Sequence, residues 1–233
     1  PRAIAWRDAA AARAARVLDF ALDGTASVAA RHVAHDEGGA LDLVTPLGNA
    51  RVILHVPGRH MARNALAAVA TAIGADVPLT AIVQGLEAFR PVRGRLATLT
   101  TPTGVRVIDD TYNANPDSVR AAIDVLATRA APRVLILGDM GEVGTEGPEF
   151  HREIGLYAKQ AGIEQLLAAG VQARESVTAF GAGGEHFDDV ETLVARIAAN
   201  VPANATVLVK GSRFMKMERV VAALSGAPAG ALH

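Results

Sequence analysis

Residues 105–126 read VRVIDDTYNANPDSVRAAIDVL and lay out one strand-loop-helix unit in order. Val105–Ile108 is a short apolar run of the kind buried in a parallel sheet. Asp109-Asp110-Thr111-Tyr112-Asn113-Ala114 then ends the run with mostly polar side chains. Asn115-Pro116 is a helix start, because Asn caps free N–H groups and Pro at the first helical position gives up no hydrogen bond. Val119, Ala122, Ile123 and Leu126 follow at i, i+3, i+4 and i+7, one apolar stripe of a helix.

The same rhythm repeats downstream. Further apolar runs at Val134–Leu137, Gln165–Ala168, Val177–Phe180 and Val207–Val209 read as strands. Between and after them lie helical stripes: Phe150, Ile154, Tyr157 and Ala158; Val190, Leu193, Val194 and Ile197; and Phe214, Met217, Val221 and Leu224. Continuous apolar strands alternating with helices predict an open, doubly wound α/β sheet covered on both faces. Gly226 to His233 reads as a loose tail.

Upstream the pattern differs. LDLVTPLG followed by NARVILHV, residues 41–56, reads as a hairpin with Pro46, Gly48 and Asn49 in its turn. Ala9 to Ala15 is a helix former, and Arg59 to Ile73 is helical by the spacing of Leu66, Val69, Ala70 and Ile73. A second short helix follows Pro78, with Ile82, Leu86 and Phe89 on one face. The run Arg90-Pro91-Val92-Arg93-Gly94-Arg95 breaks the periodicity, so the expected division is residues 1–93 and 94–233. No series of parallel strands occurs in 1–93, which reads as a small domain or as part of a larger one.

Composition narrows the function classes. Lys+Arg 23 against Asp+Glu 24 leaves no basic excess for binding nucleic acid or an anionic membrane by bulk attraction. No cysteine is present, which removes disulfides, thiolate metal sites and a Cys nucleophile and fits a reducing compartment. No apolar run reaches the length of a membrane span. The 48 alanines suit a GC-rich coding bias, as does the presence of only three lysines, Lys159, Lys210 and Lys216.

Ligands of open α/β sheets bind beyond the carboxyl ends of the strands. Three ends here are polar: Asp109 to Asn115, Gly138-Asp139-Met140-Gly141-Glu142, and Lys210-Gly211-Ser212-Arg213. A lone strand-end Asp such as Asp139 is ordinarily a helix cap. Asp109 and Asp110 point in opposite directions by strand alternation, so one can face a cleft while the other pairs inside. Lys210, Ser212 and Arg213 at a helix start suit an anion. Other patterns fail. None of the three lysines follows a glycine, so there is no P-loop; Gly181 to His186 is not a dinucleotide fingerprint; the histidines lack zinc-site spacing, and His32 and His35 read as surface residues.

The strings DDTYNANPDSV (109–119), LILGDMGEVG (135–144) with the following FH..IG, and VLVKGSR...ME (207–218) resemble the Mur ligases. PGRHMARNALAAVA (57–70) is similar to that family's H-N-x-x-N-A-L-A-A segment, and PVRGRL (91–96) to its Gly-Arg motif. YNANP with KGSR points to the branch that adds D-alanyl-D-alanine to UDP-N-acetylmuramoyl-tripeptide in peptidoglycan precursor synthesis. The resemblance implies a cytoplasmic, ATP-dependent, carbon–nitrogen bond-forming ligase working through an acyl phosphate. It also implies that 1–93 is the end of a P-loop-type central ATPase domain and 94–233 a Rossmann-like ligase domain. The P-loop and the Mg²⁺ ligands would then lie outside this chain, which is expected to be inactive alone, with no metal ligand of its own, and monomeric.

Residue roles follow from the same resemblance. Arg95 is the catalytic arginine expected near the ATP phosphates. Asn64 would reach the nucleotide base, Asp110 the ribose, and Tyr112 and Asn113 the nucleoside. Lys210, Ser212 and Arg213 would take the dipeptide carboxylate. Met61 stands where the family segment has its first asparagine, and a thioether cannot replace an amide. A non-catalytic module binding a nucleotide or D-Ala-D-Ala is the alternative from a different class. A folylpolyglutamate synthetase is disfavoured by YNANP and KGSR.

Overall fold

A computed structural model describes residues 2–13, 16–35 and 37–226. The expected tail beyond Gly226 lies outside the described residues. The chain divides into two compact units, Pro1–Arg90 and Pro91–His233.

The first unit begins with helix α1 (Arg2–Ala11) and continues through β1 (Phe20–Leu22), β2 (Val28–His35), β3 (Gly38–Thr45) and β4 (Gly48–Leu54). These strands form a sheet in that order, β1 parallel to β2 and the rest antiparallel. The expected hairpin is β3–β4, with Thr45 opposite Gly48. β2 escaped the sequence reading because its buried positions are small, Val28 and Ala30 in VAARHVAH. Helices α2 (Arg59–Gly74) and α3 (Leu79–Ala88) follow. Leu66, Val69, Ala70 and Ile73 of α2 pack on Leu41, Leu43, Val52 and Leu54 of the hairpin. Phe89 lies beyond the end of α3 and is exposed, so only Ile82 and Leu86 of that predicted face meet the core.

The second unit is a six-stranded sheet of β5 (Ala97–Thr100), β6 (Arg106–Asp110), β7 (Arg133–Gly138), β8 (Gln165–Ala169), β9 (Gly184–Phe187) and β10 (Thr206–Lys210). Its spatial order is β5-β6-β10-β7-β8-β9, parallel except for the antiparallel edge strand β5. The helices are α4 (Pro116–Ala127), α5 (Gly147–Gln160), α6 (Ala173–Phe180), α7 (Val190–Asn200) and α8 (Glu218–Ser225). On one face α7, α8 and the preceding Met217 bury Val190, Leu193, Ile197, Met217, Val220 and Val221 against alternate strand residues such as Val107, Val134, Ile136 and Val207. Helices α4, α5 and α6 pack side by side and touch the sheet through α4 and α6. This is the doubly wound α/β sheet expected from the sequence.

Two expectations are corrected. Val177–Phe180 is not a strand but the end of α6, and the sheet's outer strand is β9, which starts at Gly184. Ala173, Ser176 and Phe180 are buried at helical spacing, a pattern that the four-residue apolar window hides. The last helix also begins later than its stripe implied. Phe214 lies in a 3-10 turn and is 63% exposed, and Lys216 takes a left-handed conformation (φ 50°) that ends the turn before α8.

Candidate active site

The three polar strand ends belong to neighbouring strands, with β10 between β6 and β7. The chain runs from β6 over β10 to β7, moves outward to β9, and returns through α7 to fill the gap with β10. The ends therefore meet where the winding reverses, the place where open α/β sheets bind ligands. Glycine lets them approach closely. A Cβ on Gly211 would stand 2.6 Å from Met217 Cγ and 3.1 Å from Gly138 Cα.

Alternation separates the two aspartates as expected. Asp109 is buried and serves the protein itself: Oδ2 accepts from Gly94 N–H (3.0 Å), and Oδ1 accepts from Thr111 N–H (3.2 Å) and Thr111 Oγ1 (2.7 Å). Gly94 C=O in turn accepts from Tyr112 N–H (3.0 Å), which straps the segment carrying Arg95 to the 109–112 loop. Gly94 has φ +75°, and a Cβ there would lie 3.2 Å from Tyr112 N, so a side chain at this position would be strained. The Arg95 guanidinium then sits 4.0 Å from the centroid of the exposed Tyr112 ring, a cation–π contact at the rim.

Asp110 faces the other way and is paired. Lys210 is its cross-strand neighbour, and Lys210 Nζ donates to Asp110 Oδ2 (2.5 Å) and to Asn113 C=O (2.9 Å). The Lys210 side chain is 3% exposed. Its charge is therefore spent on holding Asp110 and the Asn113 backbone. Ser212 is buried too. Its hydroxyl accepts from Gly141 N–H (2.6 Å) and donates to Ala114 C=O (3.1 Å), joining the ends of β6, β7 and β10. The Asn113 side-chain oxygen accepts from Ala114 N–H (2.9 Å), and Asn115 caps α4 in a capping box with Ser118.

A cavity of about 740 Å³ opens beside this junction, lined in part by Asn113, Gly141, Ser212, Arg213, Phe214 and Glu218. Glu142, Lys216 and Arg219 complete the lining. Arg213 is exposed and lies 3.3 Å from Glu218 Oε1. Glu218 Oε2 is buried and has no hydrogen-bond partner among the described residues. The sequence reading missed Glu218, Phe214, Lys216 and Arg219. Glu218 was visible as the last residue of VLVKGSR...ME, but an acid in a helix's first turn is ordinary.

Asp139 is a helix cap. Its carboxylate accepts from the N–H groups of Val171 (3.1 Å), Gln172 (3.0 Å) and Ala173 (2.7 Å), at the start of α6. Asn64 belongs to the first unit. It is exposed on α2, and its Nδ2 approaches Met61 Sδ at 3.7 Å, so the substituted methionine is the amide's neighbour there. Among the described residues no three His, Asp or Glu side chains gather as a metal site, and no helix is long and apolar enough to cross a membrane.

Residues 94–213 match the family described as Mur ligase, glutamate ligase domain. The UDP-N-acetylmuramoyl-tripeptide–D-alanyl-D-alanine ligase of Escherichia coli K12 is 42% identical over 189 residues, 80% of this chain and 42% of that protein. The Haemophilus influenzae protein of the same name is 38% identical over 202 residues, 84% of this chain and 44% of its own length. A crystal structure of MurF from Acinetobacter baumannii superposes with a TM-score of 0.84 at 32% identity, covering 94% of this chain and 48% of that one. The chain thus spans less than half the length of these relatives, and the family match at 94–213 takes in all three polar strand ends. It belongs to the Mur ligase family.

Proposed function

We propose that this chain is the nucleotide-closing and amine-binding part of an ATP-dependent ligase that joins D-alanyl-D-alanine to UDP-N-acetylmuramoyl-tripeptide. The observation that carries the reading is the meeting of the β6, β10 and β7 ends at the winding reversal, beside a cavity lined by both cations and carboxylates. Residues 1–93 are, on this reading, the end of the central ATPase domain, and 94–233 the ligase domain.

The nucleotide side is the β6 end. Tyr112 and Asn113 offer an aromatic face and a polar edge for the nucleoside, and Asp110, held by Lys210, faces the ribose. Arg95 is an exposed cation strapped to that loop, suited to phosphate oxygens. Asn64, on α2, is assigned to the base. Mg²⁺ enters by family resemblance only, and no residue of this chain is assigned to it.

The amine side is the cavity. A dipeptide presents an ammonium and a carboxylate, and the lining answers with both signs. Arg213 suits the carboxylate, with Ser212 and Lys210 shaping the loop behind it. Glu218, whose Oε1 pairs with Arg213, brings a carboxylate to the lining that suits the ammonium. Chemically, the tripeptide carboxylate attacks the γ-phosphate of ATP to give an acyl phosphate and ADP; the dipeptide ammonium loses a proton to solvent, its amine attacks the acyl carbon, and phosphate leaves. The protein's share is positioning and charge stabilisation rather than acid–base work.

The test is steady-state kinetics of the full-length protein with Arg95→Ala and Asp110→Asn. Arg95→Ala removes an exposed side chain, and Asp110→Asn, which leaves the buried Lys210 ammonium without its carboxylate, is assayed at a temperature where it stays folded. Turnover should fall by about two orders of magnitude or more, as for loss of a transition-state charge contact, with unfolding midpoints near wild type for Arg95→Ala. Unchanged turnover would remove both residues from the site.

A further inference from the structure

His151 is wholly buried on α5, yet none of the roles above uses it. Its two ring nitrogens are both engaged. Nε2 lies 3.0 Å from Met140 N, whose N–H donates to it, and Nδ1 lies 2.7 Å from Gly147 C=O. Because Met140 supplies a hydrogen, Nε2 must present a lone pair, and the ring proton sits on Nδ1 and donates to Gly147. One geometry therefore admits one tautomer.

Met140 is the middle of the 138–142 loop. The next N–H, Gly141, donates to Ser212 Oγ, and Ser212 N–H donates back to Asp139 C=O (3.0 Å). Gly141, Glu142 and Ser212 all line the cavity. We propose that His151 is the positioning residue of this loop, its Nε2 lone pair fixing Met140 and, one residue on, the Gly141–Ser212 contact that forms the cavity wall. It touches no ligand.

Protonation would put a second hydrogen on Nε2, facing Met140 N–H, and the hold would fail. Burial keeps the imidazole below the usual histidine range, while the Gly147 carbonyl, Asp139 and Glu175 oppose that shift. Asp139 Oδ1 lies 3.9 Å from Nε2 beyond the end of β7, and Glu175 is on α6; these two are the charges that act on the ring. Asp139 is already committed to three α6 N–H groups, so it cannot simply turn to accept the new proton. Loop and cavity wall should loosen together as the pH falls below about 6.5, the ordinary histidine value.

Hydrogen exchange of the full-length protein, read by mass spectrometry over 138–143 and 211–213, tests this without reference to the reaction. His151→Gln keeps an acceptor near the Nε2 position, and His151→Leu keeps bulk without one. Exchange in both segments should rise about tenfold in the Leu variant and stay near wild type in the Gln variant, with β8 unchanged. Wild type taken from pH 7.5 to 5.5 should lose protection there first, after correction for intrinsic rates, and this arm needs no variant to fold. Equal effects of Gln and Leu, a uniform rise across the domain, or protection indifferent to pH would overturn the proposal. One further arm rests on the amine-site reading: the Leu variant should raise KM for D-Ala-D-Ala more than KM for ATP. Exchange that behaves as expected beside an unchanged dipeptide KM upholds His151's hold on the loop and overturns the cavity assignment instead.

Discussion

Lys210 and Asp110 face each other across β10 and β6, and both are largely withdrawn from water. Breaking such a pair from one side leaves a buried charge without compensation. Lys210→Met should therefore cost about 3 kcal/mol in urea unfolding, and adding Asp110→Asn should return much of that loss. Asp139 makes a different prediction. As an anion capping three N–H groups at the start of α6, its replacement by Ala should cost about 1–2 kcal/mol by the same measurement. Both residues stood out in the sequence as polar strand ends. Which of them caps a helix and which pairs across the sheet depends on the neighbours supplied by β10 and α6, elements about 35 to 100 residues away in the chain.

At the scale of elements, helices α5 and α6 pack on each other more extensively than any other helix pair of the second unit. Gly155 permits it: a Cβ there would stand 2.1 Å from Ser176 C=O, a backbone atom that cannot swing aside. Gly155→Ala should therefore lower the unfolding temperature by several degrees, about 2 kcal/mol or more of overpacking, although alanine is the better helix former. A smaller effect in calorimetry would mean that the pair can separate at little cost. The same contact explains the misread 177–180 segment. Val177 and Phe180 are consistent with a strand in a short window, and only the packing of Ala173, Ser176 and Phe180 makes a helix the better solution. β5 and β9 were missed for a related reason. Four residues each, with partly exposed positions, they owe their extended form to the strand beside them.

For the whole molecule, acid should act in two stages. The His151 imidazole is held below its ordinary range by burial, so the folded protein binds fewer protons there than the unfolded chain. Its stabilising share is complete above about pH 6.5 and is lost as the pH falls from there through the lowered folded value. Glu164, hydrogen-bonded by Arg133, and Asp19, hydrogen-bonded by Ser27, are carboxylates held low. Their share is complete above about pH 4.3 and is lost below that. Unfolding free energies measured from pH 8 to 3 should show both declines, at most about 1.4 kcal/mol per pH unit for buried His151 and a small fraction of that for the two solvent-screened carboxylates. His151→Gln should shrink the first decline to the part that comes from His32, whose imidazole burial also holds low, and leave the second. A wild-type curve flat between pH 7 and 5 would rule out the burial effect at His151.

Local sequence settled the class of fold, because apolar strands and striped helices are patterns that follow from backbone periodicity. It also determined where chemistry could sit, since polar residues closing an apolar strand are visible one strand at a time. Which of those residues are available follows only from the packed fold. Asp109, Lys210 and Ser212 turn inward to hold backbone and partner groups, whereas Arg95, Tyr112, Asn113 and Arg213 remain exposed. Glu218 and His151 acquire their parts only when β10 inserts between β6 and β7 and α5 closes over the end of β7. A polar side chain taken out of water must find a partner. That partner comes from whatever the fold brings beside it, which no local stretch of sequence records.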